Sequence, residues 1–93
     1  MEAVYILFSE KMNRFYIGYT ADFETRMEFH KNAEKNKFTA KADDWIVYLT
    51  IECQSKKQAL GIEGHIKRMK SKKYIQNLKK YPEIIEKLLE KYC

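Results

Sequence analysis

Arg26 and His30 are a pair of side chains whose types and spacing could carry out chemistry. They stand four residues apart, on the helical face that also carries Phe23 and Met27. An arginine turned towards the interior can hold a phosphate through its planar fork, and a histidine can move a proton near neutral pH. The alternative is structural, with Arg26 extending to solvent or pairing with a nearby acid and His30 filling core space. The spacing alone leaves both interpretations open.

Glu63 is the second candidate, because glycines flank it at positions 61 and 64 in a segment with helical periodicity. Each glycine inside a helix costs roughly 1 kcal/mol relative to alanine. Missing side chains would let another backbone, or a substrate, approach the carboxylate closely. The alternative is an ion pair between Glu63 and Lys67, one helical turn later, but that pair would not explain the glycines.

Tyr5 and Tyr16 belong to two short aromatic, β-prone segments joined by a polar turn, which together predict a hairpin. If the loop holds an even number of residues, the two tyrosines point to the same face of that hairpin. Aromatic cross-strand pairs are also a common structural device, so the pair alone does not establish a site.

The elements that must position these residues follow from periodicity and capping. Strands are predicted over residues 3–8, 15–19 and 45–53, and helices over residues 22–32 and from Ser55, Ser71 and Pro82 onwards. The helix after Ser55 should bury one apolar stripe, formed by Ala59, Ile62, Ile66 and Met69. The order β-β-α-β-α-α-α predicts an α+β fold in which helices pack on a small sheet.

The charge is concentrated in the second half of the chain. The net charge is +5, and residues 51–93 contain eleven Lys or Arg against five Asp or Glu, whereas residues 1–50 contain seven against eight. Seven basic residues and no acid lie between positions 67 and 80; this lysine block is Lys67, Arg68, Lys70, Lys72, Lys73, Lys79 and Lys80. Such a block favours a polyanionic partner such as nucleic acid, although a solvated helix surface would have the same composition.

Length and composition limit the remaining classes. The 93 residues fit one domain, and 45% hydrophobic residues argue against disorder. Cys53 and Cys93 form neither a disulfide framework nor a zinc pattern, which fits a reducing compartment. No apolar run is long enough for a membrane span and no signal peptide is visible, so we expect a cytoplasmic protein without a membrane partner.

The ordered set of these residues resembles the GIY-YIG nuclease superfamily, in particular its small stand-alone bacterial members. Tyr16-Ile17-Gly18 reproduces the second signature, and Ala3-Val4-Tyr5 resembles the first. The resemblance runs from about Ala3 to Leu78 and continues through Tyr19-Thr20, Arg26, His30, Phe38-Thr39-Ala40-Lys41, Trp45, Glu63 and Asn77.

The resemblance implies a three-stranded antiparallel sheet flanked by helices and an endonuclease that hydrolyses phosphodiesters, most naturally in DNA during repair or recombination. It also implies one divalent metal ion, Mg²⁺ with Mn²⁺ as a substitute, held by Glu63. Relatives include the N-terminal nuclease domain of the nucleotide-excision-repair excinuclease, homing endonucleases and some restriction enzymes. Ala3 and Val4 depart from the first signature, and Tyr19 stands where some relatives have a lysine.

The roles that follow are hypotheses carried over from the resemblance. Tyr5 and Tyr16 line the site, and one of the two deprotonates or orients the attacking water; Tyr16 is favoured, with His30 as a proton acceptor. A tyrosine has an ordinary pKa of about 10, so this base requires a nearby cation or metal. Arg26 stabilises charge on the phosphate, and Asn77 donates a hydrogen bond near the metal or phosphate.

The phosphate backbone would be bound by lysines of the block, together with one lysine before the third strand: Lys41, Lys67, Lys70, Lys72 and Lys73. One alternative is a non-catalytic nucleic-acid-binding module on the same fold. Another is a nuclease that is active only with a protein partner, which would supply the specificity that a separate recognition domain gives elsewhere.

Overall fold

The structure is a computed structural model that describes residues 2–22 and 44–93. Most of the helix predicted over residues 22–32 lies outside these residues. The described elements are the strands β1 (Ala3–Ser9), β2 (Arg14–Thr20) and β3 (Ile46–Glu52), and the helices α1 (Lys56–Met69), α2 (Lys72–Lys80) and α3 (Pro82–Lys91). They form the predicted α+β fold, with three helices flanking a three-stranded antiparallel sheet.

The sheet has the strand order β2-β1-β3, so the first strand is central. Six of its seven residues are buried, because a central strand is covered on both faces and paired on both edges. In the β1–β2 hairpin Tyr5 pairs with Gly18 and Leu7 pairs with Tyr16. The ladder with β3 is interrupted between Ile6 and Leu7, where a bulge shifts the register by one residue.

The Asp44 carboxylate connects the hairpin turn to the start of β3 by hydrogen bonds. Ser9 Oγ donates to Asp44 Oδ1 at 2.6 Å, and the Lys11 backbone N–H donates to Asp44 Oδ2 at 2.9 Å. Ser9 Oγ also accepts from the Met12 N–H at 3.2 Å, which fixes the turn internally. These donors stabilise the ionised form and lower the pKa of Asp44 below its ordinary value. The contact therefore holds in place the hairpin that carries both signature tyrosines.

The helix starts are those predicted from capping residues. Ser55 Oγ accepts from the Gln58 N–H at 3.0 Å at the start of α1, and Ser71 Oγ accepts from the Tyr74 N–H at 3.1 Å at the start of α2. Pro82 occupies the first turn of α3, where its missing N–H has no helical partner to lose. Each of these signals acts within three residues, which is why the sequence alone could place them.

The hydrophobic core lies between the helices and one face of the sheet. Val4 and Ile6 of β1 belong to the same buried cluster as Ile62 and Ile66 of α1. Because side chains alternate along a strand, Tyr5 points to the opposite face. The prediction that Met69 is buried was wrong: its side chain is 44% exposed. The helix ends there, since Lys70 adopts a left-handed conformation (φ 47°, ψ 41°).

Candidate active site

Tyr5 and Tyr16 lie side by side on the sheet face opposite the helices α1 to α3. Their ring centroids are 6.2 Å apart with an angle of 36° between the ring planes. Four residues, Glu10 to Asn13, separate the two strands, and this even number puts both side chains on one face as predicted. The two rings differ in exposure: Tyr5 is 1% exposed, whereas Tyr16 is half-buried.

Gly18 explains why the Tyr5 ring can lie so close to the neighbouring strand. A β-carbon at Gly18 would overlap Cζ and the hydroxyl of Tyr5, and would lie 2.9 Å from Cε2. Any side chain at this position would therefore displace the ring. A glycine inside a strand often marks such a close approach, and this was the signal in the sequence that could have identified the contact. The tyrosine of the first signature thus packs on the glycine of the second.

Glu63 lies on α1, the helix that packs against β1 and β2 from the side of the sheet opposite the tyrosines. Its side chain is 18% exposed, and its Oε2 lies 3.4 Å from the Lys67 ammonium. The ion pair proposed as the alternative explanation of Glu63 is therefore present. It does not exclude metal binding, because an i, i+4 ion pair along a helix typically contributes only a few tenths of a kcal/mol.

The two glycines near Glu63, Gly61 and Gly64, are explained by different contacts. A β-carbon at Gly61 would lie 2.6 Å from Cδ1 of Tyr92, so Gly61 makes room for a ring that follows α3. The interpretation that this glycine opens a path for substrate was wrong. A β-carbon at Gly64 would meet only the flexible end of Arg68, at 3.1 Å from Nη1. Close approach of a ligand to Glu63 remains an explanation for Gly64 alone.

Glu63 is the carboxylate to which the resemblance assigns the metal ion. Within residues 2–22 and 44–93, no group of three or more His, Cys, Asp or Glu side chains is arranged to hold a metal ion. A single carboxylate fits Mg²⁺, which keeps most of its water and is commonly held by one or two carboxylates together with phosphate oxygens.

Comparison with protein families shows which family the chain belongs to. The sequence model of the GIY-YIG catalytic domain matches residues 1–79. The chain belongs to the GIY-YIG family. No curated protein and no solved structure matches it significantly. The family match and the three-stranded sheet identify a domain of the nuclease type, while Arg26, His30 and Lys41 of the predicted site lie outside the described residues.

Tyr19, at the position where some GIY-YIG relatives have a lysine, faces the helices instead of the tyrosine pair. It is the partner of Val4 in the β1–β2 ladder, so it shares the core face of the sheet. Its hydroxyl donates a hydrogen bond to Glu2 Oε2, and this bond, followed by burial, raises the pKa of Tyr19 to about 12. Tyr19 therefore does not take the place of a base in the site.

Asn77 and the lysine block lie at the C-terminal end of α1 and along α2 of the GIY-YIG domain. Asn77 is half-buried, and its carbonyl accepts from the Tyr81 N–H at 2.7 Å. Lys72 donates through Nζ to the Asn13 carbonyl at 2.6 Å, which joins α2 to the hairpin turn. Lys73 is exposed, and Lys70 is exposed at the left-handed end of α1.

At least four basic residues of the block have intramolecular contacts. Lys67 pairs with Glu63, and Lys72 bonds to the hairpin turn. The ammonium groups of Lys79 and Lys80 lie 4.4 Å and 5.5 Å from the centres of the Tyr48 and Tyr81 rings. The block is thus partly structural, and Lys70 and Lys73 are better placed for an external phosphate.

In the part of the chain that the structure describes, no helix is long and apolar enough to cross a membrane.

His65 of the GIY-YIG domain was not singled out from the sequence, yet it joins three helices. Its Nδ1 lies 3.1 Å from the Tyr92 hydroxyl and its Nε2 lies 3.1 Å from the Tyr74 hydroxyl. Burial, followed by the positive charges of Lys91 and Arg68, lowers the pKa of His65. Burial raises the pKa of Tyr74. The sequence signal that could have indicated this role is the spacing of four residues between Gly61 and His65, which puts both on one face of a helix.

Proposed function

We propose that this chain is a metal-dependent endonuclease that hydrolyses phosphodiester bonds of nucleic acid, with DNA as the substrate. The observation that carries the proposal is the tyrosine pair. Tyr5 and Tyr16 belong to the two segments that resemble the GIY-YIG signatures, they lie on one sheet face with ring centroids 6.2 Å apart, and the Tyr5 ring packs on Gly18. A role in repair or recombination and a cytoplasmic location belong to the same proposal.

Tyr16 is the better candidate to orient or deprotonate the attacking water. It is half-buried, so a solvent molecule or substrate can reach it, whereas Tyr5 is almost fully covered and packed on Gly18. In this assignment Tyr5 lines the site and holds its shape. His30 accepts the proton, and Arg26 stabilises the charge that develops on the phosphate. These last two roles rest on the resemblance to the family.

Glu63 would hold the divalent metal ion, Mg²⁺ or Mn²⁺, which when bound supplies Lewis-acid polarisation of a phosphate oxygen. β2 is an outer strand of the described sheet, with Tyr16 on one face and α1 on the other. A substrate that crosses the edge of β2 could therefore meet both the tyrosine pair and the carboxylate. Lys67 must release Glu63 for this to happen, and the weakness of an i, i+4 ion pair, whose lysine is exposed to solvent, makes that exchange inexpensive.

The lysine block would bind the sugar-phosphate backbone without reading bases. Lys70 and Lys73 offer exposed ammonium groups, and Lys41 before β3 would add a further charge. Lys67 and Lys72 would contribute after exchanging their present partners. Asn77 on the same helix α2 would donate a side-chain hydrogen bond near the phosphate.

The test is cleavage of labelled DNA and RNA substrates, including duplex, flap and branched forms, with Mg²⁺, Mn²⁺ or a chelator. The Glu63→Gln variant should lose cleavage while its melting temperature and its affinity measured in chelator stay nearly unchanged. Glu86→Gln is the matched control, because Glu86 is exposed on α3 and its replacement changes the charge equally. Lys67→Gln breaks the same ion pair but leaves the carboxylate, so it should still cleave at saturating substrate, with any loss confined to nucleic-acid affinity.

Each alternative function predicts a different result in this assay. Salt-sensitive binding of the substrates by the wild-type protein, with no cleavage under any metal condition, would indicate a non-catalytic nucleic-acid-binding module. Cleavage that appears only after a protein fraction is added would indicate a nuclease that depends on a partner. Full cleavage by Glu63→Gln would remove the single-metal mechanism.

A further inference from the structure

The C-terminal helix α3 lies beyond the residues that match the GIY-YIG family, yet it is attached closely to α1. The Tyr92 ring occupies the space that a side chain at Gly61 would fill, and the Tyr92 hydroxyl lies 3.1 Å from His65 Nδ1. A further hydrogen bond runs from Gln58 Nε2 to the Leu89 carbonyl at 2.8 Å. Together these interactions fix how α1 is rotated relative to α3.

The attachment points on α1 lie directly behind Glu63. Gly61 and His65 are four residues apart and share one face of α1, and Glu63 is midway between them in sequence. Residues two apart in a helix point in nearly opposite directions, because each residue turns the helix by about 100°. A rotation or shift of α1 at Gly61 and His65 would consequently redirect the Glu63 carboxylate.

The hydrogen bonds of His65 add a third helix to the same point. Its second ring nitrogen lies 3.1 Å from the Tyr74 hydroxyl of α2, so both nitrogens of the ring have tyrosine partners. A neutral imidazole has one donor and one acceptor nitrogen, which fixes one hydroxyl as acceptor and the other as donor. The ring orientation, and with it this turn of α1, is held from both sides.

We propose that Tyr92 is a positioning residue for the metal site, acting through Gly61 and His65 to aim the Glu63 carboxylate. The C-terminal helix is then part of the support of the active site, although it lies outside the family's matched residues. This inference rests on the proposed function, because it takes Glu63 to be the metal ligand.

The experiment measures Mg²⁺ affinity directly by isothermal titration calorimetry without substrate, and then single-turnover cleavage by the full chain as a function of Mg²⁺ concentration. The variant is Tyr92→Phe, which keeps the ring on Gly61 and removes the hydroxyl. The Mg²⁺ concentration for half-maximal rate should rise about three- to tenfold, less than the 10–100-fold typical of direct partners of metal ligands, because Tyr92 acts through the helix. The rate at saturating Mg²⁺ should stay within about twofold of wild type, since an outer group that aims a ligand mainly changes metal affinity. Tyr81→Phe is the control, because Tyr81 is 42% exposed and should leave the curve unchanged.

Tyr92→Ala, which also removes the ring, should shift the Mg²⁺ curve further than Tyr92→Phe. An unchanged Mg²⁺ curve in Tyr92→Phe would overturn the proposal, as would an equal loss of rate at all Mg²⁺ concentrations together with a lower melting temperature. Failure of the wild-type protein to cleave with any metal would overturn the proposed function and this inference with it. An active wild type with an unaltered variant would overturn only the inference.

Discussion

Replacing Gly61 with alanine should destabilise the protein, although alanine is the better helix former. A β-carbon there would lie 2.6 Å from Cδ1 and 3.2 Å from both Cγ and Cε1 of Tyr92, well inside the optimal carbon–carbon separation of about 3.5–4.0 Å. Overpacking of this kind typically costs about 1–3 kcal/mol. The higher helix propensity of alanine offsets about 1 kcal/mol of this loss in stability. The net loss is about 1 kcal/mol, which lowers the melting temperature of a domain of this size by about 4–8 °C.

The matched control is Gly64→Ala, in the same helix and three residues away. Its β-carbon would meet only Nη1 of Arg68 at 3.1 Å, and a guanidinium at the end of a flexible chain can move aside. The propensity gain should then remain, so this variant should be more stable than wild type by about 0.5–1 kcal/mol. Two identical substitutions in one helix should thus change stability in opposite directions.

A double mutant identifies the cause. In a Tyr92→Ala background the obstruction at Gly61 is gone, so Gly61→Ala should become stabilising by about 1 kcal/mol. The coupling between the two positions should be about 2 kcal/mol, within the range of about 0.5–3 kcal/mol found for residues in direct contact. Reversible thermal or urea unfolding, followed by circular dichroism, measures all four proteins. The reasoning fails if Gly61→Ala stabilises the wild type as much as Gly64→Ala does, because Tyr92 would then not occupy this space.

Three further predictions concern the hairpin, the basic surface and the reaction. Ionised Asp44 stabilises the fold fully above its ordinary pKa of 3.8, and this stabilisation is lost as pH falls through the lower folded-state pKa. Asp44→Asn should therefore lower the melting temperature at pH 7. In a series of thermal melts at different pH, the melting temperature of the variant should also fall less steeply below pH 5 than that of the wild type. Lys70→Gly relieves a left-handed residue while removing a charge, so together with Lys73→Gln it should reduce the salt dependence of DNA affinity by about 0.9 in log–log slope for each phosphate that is no longer bound, without loss of stability. An unchanged slope would mean that the block is only a solvated surface. Arg26→Lys keeps the charge but loses the bidentate fork, so the rate of single-turnover cleavage should fall about 10²–10³-fold while affinity and melting temperature are preserved. Parallel losses of rate and affinity would mean that Arg26 only anchors the substrate.

Features that depend on neighbouring residues could be predicted from the sequence. The hairpin, the capped starts of α1 and α2 and the proline at the start of α3 each follow from a few consecutive residues. The shared face of Tyr5 and Tyr16 followed from the parity of the turn length alone. The family signatures then supplied the fold, because they fix which short segments are strands.

Features that depend on distant residues could not be predicted. Gly61 is explained by a residue 31 positions later, and the sequence gives no distance between them. The attachment of the hairpin turn to Asp44 spans 33 to 35 positions, as its hydrogen bonds to Lys11 and Ser9 do. Met69 fits the apolar stripe of α1, but it becomes exposed because the helix ends at that residue. In each case tertiary packing, which periodicity does not contain, decides the outcome.

The two signature tyrosines are not equivalent, and the difference in their packing indicates different roles in the site. Tyr5 is held on the bare backbone of Gly18 and is almost fully covered, so its position is set by the sheet itself. Tyr16 lies beside it with part of its side chain accessible, at the strand that borders α1. A group that activates water must be reachable, whereas a group that fixes the reacting geometry must be rigid. The buried tyrosine therefore suits the fixed wall of the site and the accessible one suits the chemistry, and this difference is the reason for proposing Tyr16 as the base.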